Sequence, residues 1–101
     1  MQMLMLAFRS SLKERVHELL HGCDVNAFTE VNETVGYGQT GPAEGSAVYP
    51  GTNAVILVAL DDDHITRVTK VVKAWCEEAA KHPGWQKPSI RVFAWPCLQI
   101  V

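Results

Sequence analysis

The chain has 101 residues, 48% of them hydrophobic and 20% charged, which fits one folded domain over residues 1–101 and argues against wholesale disorder. Nine Lys and Arg against eleven Asp and Glu give a formal charge of −2, so no overall basic field would draw it to nucleic acid or anionic lipid. The longest apolar run, residues 54–60, is far short of the ~20 residues a bilayer-crossing helix needs, and the first eight residues lack the layout of a secretory signal. No membrane insertion is therefore expected, and the three scattered cysteines, Cys23, Cys76 and Cys97, predict reduced thiols, all three buried, and a cytoplasmic location.

Residues 3–8 form a short apolar run whose length predicts a buried strand. Ser11-Leu12-Lys13-Glu14 has the form of a capping box, in which serine and glutamate each satisfy a backbone N–H at a helix start. Leu12, Val16, Leu19 and Leu20 then recur at helical spacing, and Gly22 is placed to end the helix in the left-handed conformation. From residue 25 to 35 the period becomes two, with Val25, Ala27, Val31 and Val35 on one side, which predicts a half-exposed second strand. Residues 36–51 hold five glycines and two prolines and predict a long loop, the kind of segment that carries function.

The unbroken apolar run 54–60 predicts an inner third strand. Asp61, Asp62 and Asp63 suit the positive end of a helix whose stripe of Ile65, Val68, Val71, Val72, Trp75 and Ala79 runs up to His82, where Pro83-Gly84 stops it. Residues 89–101 read as the last strand, with Pro96 suited to an edge position. The order β-α-β-loop-β-α-β predicts an α+β, ferredoxin-like βαββαβ sandwich with a four-stranded antiparallel sheet. Two helices cover one sheet face only, and the apolar third strand makes the other face an expected oligomer surface.

Gly36-Tyr37-Gly38-Gln39-Thr40-Gly41 matches G-x-G-x-x-G, but Pro42, Gly45 and Pro50 follow where a dinucleotide site needs a helix N-terminus. His17-Glu18-Leu19-Leu20-His21 is a complete H-E-x-x-H on the first helix, the pattern in which two imidazoles hold zinc and the glutamate serves as base. The helix is short and no third histidine follows at a set spacing, so a solvent-facing histidine pair competes with a metal site or a small zinc hydrolase. The acidic run 61–63 is explained by helix capping as readily as by a hard cation.

Four short stretches together resemble the P-II signalling proteins, trimeric ferredoxin-like regulators. Thr29-Glu30-Val31 followed by Gly36-Tyr37-Gly38 and Gln39 is similar to the base of that family's T-loop, which places a T-loop-like segment at 36–51. Val58-Ala59-Leu60-Asp61-Asp62 resembles the entry to its second helix, and Ile90-Arg91-Val92-Phe93 its last strand. The resemblance implies a non-enzymatic homotrimer that binds a small effector between subunits through Thr29, Gly36, Gly38, Gln39, Gly84 and Lys87. It further implies signalling through the loop to a protein partner such as a transporter or an enzyme.

The departures are specific: no arginine stands between Gly38 and Gln39, and the family's phosphate loop is replaced by His82-Pro83-Gly84-Trp85-Gln86-Lys87-Pro88. An adenine-nucleotide site, if kept, is altered, as in divergent members linked to bicarbonate or heavy-metal transport. The trimeric CutA proteins share the architecture and are a second relative. A metal-binding protein using His17 and His21, CutA-like or associated with efflux, is the competing expectation, with a zinc hydrolase and a ligand-free structural trimer behind it.

Overall fold

A computed structural model of the chain describes residues 1–35, 53–85 and 87–101. Strand β1 (Gln2–Arg9) alternates strictly, burying Leu4, Leu6 and Phe8 and leaving Met3, Met5 and Ala7 on the opposite face. Strand β3 (Asn53–Leu60) does the same with Ala54, Ile56 and Val58. Antiparallel pairing sets Leu4 opposite Val58, Leu6 opposite Ile56 and Phe8 opposite Ala54, so the six residues form one apolar sheet face. Helices α1 (Lys13–Gly22) and α2 (Asp62–Lys81) cover that face with Val16, Leu19, Leu20, Val68 and Val72. Strands β2 (Thr29–Thr34) and β4 (Ile90–Pro96) complete a sheet of order β2-β3-β1-β4, which is the expected ferredoxin-like arrangement.

Both ends of α1 differ from the sequence expectation. Ser10–Leu12 form a 3₁₀ turn and Leu12 caps the helix without a side-chain bond, so no capping box forms at Ser11. Gly22 lies within the helix, and the left-handed residue is Asp24, at φ 62°. The Val25 N–H donates to the Leu20 carbonyl at 2.9 Å and the Asp24 N–H to the His21 carbonyl at 3.0 Å, a Schellman ending. Buried Val25 joins Leu20 in the core, which supplies the apolar contact of that motif. Tertiary packing of Val25 thus sets the stop two residues beyond the glycine.

The second strand is shorter than expected and shows the reverse face. Glu30 pairs with Ile56 on the helix side, whereas Val31 pairs with Val55 on the open side and is 46% exposed. Val25 belongs to the helix ending, a bulge interrupts pairing between Val31 and Thr34, and Glu33 adopts φ 56° there. The last strand stops at Pro96, on the sheet edge as its proline requires, and Leu98, Ile100 and Val101 lie exposed beyond it. On α2 the expected start holds: the Asp61 carboxylate accepts from the His64 backbone N–H at 2.8 Å.

Candidate functional site

The register fixes which chemistry-bearing residues share one end of the sheet. Thr34 pairs with Asn53, Asn53 with Arg9, and the Arg9 N–H donates to the Ser89 carbonyl at 3.2 Å. The two stems of segment 36–52 and the turn joining α2 to β4 therefore lie at the same end. That turn is shaped by Gly84, at φ 85°, which suits a residue without Cβ, and by a Trp85 N–H donated to the His82 carbonyl at 3.1 Å. Lys87 is exposed just before β4.

Thr29 sits elsewhere. It pairs with Leu57, which is level with Met5 and Phe93, about four residues or ~13 Å from the Asn53 end. It also lies on the far edge of the sheet, three strand spacings or ~14 Å from β4. One chain thus separates Thr29 from Gly84 and Lys87, and does not assemble them into one cleft. Gly36, Gly38 and Gln39, with the rest of the G-x-G-x-x-G stretch, lie outside the described residues.

The open sheet face runs from apolar to basic. Met3, Met5, Leu57, Val55 and Val31 share it with Phe93 and Trp95, which are 49% and 42% exposed. At the end near the turn, Arg91 stands opposite Ala7, and Arg9, two residues further along β1, lies diagonal to it on the same face. Such diagonal positions are ~7–8 Å apart, which sets two cations at one end of the face. Sequence reading passed over this pair because Arg9 and Arg91 are 82 positions apart; the signal was a lone cation in each of two apolar runs that pair.

The H-E-x-x-H histidines are engaged otherwise. His17 Nε2 lies 2.6 Å from Glu30 Oε1, with Lys13 Nζ 3.9 Å from the other carboxylate oxygen, and His21 Nδ1 lies 2.6 Å from Asn26 Oδ1. The motif therefore ties α1 to the segment leading into β2 and to β2 itself. Among the described residues no three His, Cys, Asp or Glu side chains cluster as a metal centre needs. Of the cysteines, Cys23 is buried and its thiol is held above its ordinary pKa, mainly by burial, while Cys76 and Cys97 are partly exposed, against the expectation that all three are buried. Among the described residues, no helix is long and apolar enough to cross a membrane.

No protein-family profile and no curated protein matches the chain. Solved structures do match. The chain is similar to CPII, a nitrogen regulatory PII-like protein from Thiomonas intermedia K12, in a form bound to ADP and bicarbonate. That match has 20% identity over 93% of this chain and 82% of that one, with a TM-score of 0.70. A second form of CPII, bound to ADP, AMP and bicarbonate, matches at 18% identity over 92% and 86% of the two chains, with a TM-score of 0.68. A candidate PII-like signalling protein from Thermus thermophilus matches at 12% identity over 93% and 82%, with a TM-score of 0.59. Four antiparallel strands in the order β2-β3-β1-β4 under two helices thus give this chain the fold of the PII-like proteins.

Proposed function

We propose that the chain is a PII-like regulatory module, not an enzyme, that assembles as a homotrimer and binds a small anionic effector between its copies. The observation that carries this reading is the open sheet face, apolar over most of its area and basic at the end where the loop stems and the Gly84 turn meet. Covering the apolar part with neighbouring copies would bring the β2 edge of one copy beside the β4 edge of the next, and so unite the residues that one chain keeps apart. Thr29, Gly36, Gly38 and Gln39 would come from one copy, and Gly84 and Lys87, with Arg9 and Arg91, from the other. Arginine forks and backbone N–H groups suit phosphate or a planar bicarbonate.

The solved relatives bound to ADP, AMP and bicarbonate support that class of effector. Effector binding would order segment 36–51 and change what it presents to a protein partner in the cytoplasm, a transporter or an enzyme. Calorimetric titration with ADP, AMP and bicarbonate, run with protease protection of segment 36–51, tests the reading. We expect heat and protection for at least one of them, both reduced at least tenfold in Arg91→Ala. Absence of both for all three ligands would refute it.

A further inference from the structure

On the helix side, away from the open sheet face, a groove of about 710 Å³ runs between the start of α1, the second half of α2 and the turn before β4. Its α2 wall is the stripe Val71, Trp75 and Glu78, spaced i, i+4, i+7; Leu12 in the 3₁₀ turn and Arg15 on α1 face it. Trp85 closes one end, 62% exposed, and Val71 is 41% exposed. Neither Val71 nor Trp85 belongs to the core. Yet Trp85 is held in place: its ring stacks on His82 with centroids 4.1 Å apart, and His82 Nε2 lies 2.9 Å from Glu78 Oε1. Arg15 is likewise set over the Trp75 ring, 5.8 Å from its centroid.

Fixed tryptophans beside an arginine are what tight protein contacts are built on, because little side-chain freedom is lost when a partner arrives. The groove's chemistry also narrows the partner. Both walls are α-helices whose backbone bonds are made internally, so an extended peptide would find no strand edge to pair with here. A helix arrives with those bonds satisfied. Arg15 on one wall and Glu78 on the other carry opposite charge, which fits a helix with an acidic residue on one flank of its apolar stripe and a basic residue on the other.

We propose that this groove docks an amphipathic helix of a partner protein, with apolar residues at i, i+4 and i+7 seated against Val71, Trp75 and Trp85 and flanking charges set by Arg15 and Glu78. This surface goes beyond the effector reading and does not depend on it. The test places a benzophenone amino acid at position 71 or 85 of the full chain, with Lys73 on the far side of α2 as control, irradiates the cells that make it, and sequences the joined peptide. The expected result is an adduct from 71 and 85, absent from 73, whose peptide has that pattern. A synthetic copy of it should become helical on binding and lose at least tenfold in affinity against Arg15→Glu or Glu78→Lys, recovering when the matching peptide charge is reversed. The proposal is overturned by no adduct, by an adduct to a second copy of this chain, by a peptide that binds extended, or by affinity indifferent to both reversals.

Discussion

Phe93 offers the sharpest test of assembly through the open sheet face. Its ring is 49% exposed on that face, level with Met5 on β1, and does not belong to the helix-side core. A side chain of this kind covers ~150–250 Å², so roughly 70–120 Å² remains for a neighbouring copy to bury. At ~25 cal/mol per Å² that burial contributes about 2–3 kcal/mol per copy, a factor of roughly 30 to 150 in association at each of the three seams. Phe93→Asp removes the apolar term and adds an unpaired carboxylate, whose desolvation costs several kcal/mol more. Sedimentation velocity at micromolar concentration should show the native chain at about three times its 11.2 kDa mass, and the variant at 11.2 kDa with unchanged far-ultraviolet circular dichroism. A native chain that sediments as a monomer, or a variant that keeps the assembly, would refute the reasoning.

Further tests address the fold and its termini. Leu6 is fully buried, so Leu6→Ala should lower unfolding free energy by about 2–5 kcal/mol in denaturant titration. Gly22→Ala should raise it by about 0.4–1 kcal/mol, because Gly22 is helical and an added Cβ meets nothing within 4 Å; a loss would show that the glycine, not Asp24, makes the helix stop. The Asp61 carboxyl is held below its ordinary range by the backbone N–H and then the side chain of His64. Its contribution is therefore complete above the unfolded carboxylate pKa and fades as pH falls through the lower folded value, so the Tm deficit of Asp61→Ala should be present at pH 7 and shrink in acid. With Ellman's reagent, Cys76 and Cys97 should react in the native protein and Cys23 only on unfolding, since burial both shields its thiol and suppresses its thiolate.

Periodicity alone determined the element order, the inner position of the 54–60 strand and the Asp61 cap, because each rests on contacts within a few residues or on one uninterrupted run. It also implied an oligomer surface, since two helices cover only one side of four strands. The tertiary structure decided what depends on how the elements pack, which periodicity does not encode. Val25 left the second strand because its apolar contact with Leu20 closes α1, and that contact moved the left-handed residue from Gly22 to Asp24. His17 and His21 took Glu30 and Asn26 as partners because the chain leading into β2 runs beside α1, a neighbourhood that H-E-x-x-H spacing does not encode. Arg9 and Arg91 come to one end of one face only through pairing of the first strand with the last. Thr29 stands on one edge strand and Lys87 in the turn that leads into the other, so one chain keeps apart the two residues that the resemblance joins. Local rules set each segment's shape; sheet order and register, fixed by burying Leu4, Leu6 and Ile56, set which side chains become neighbours.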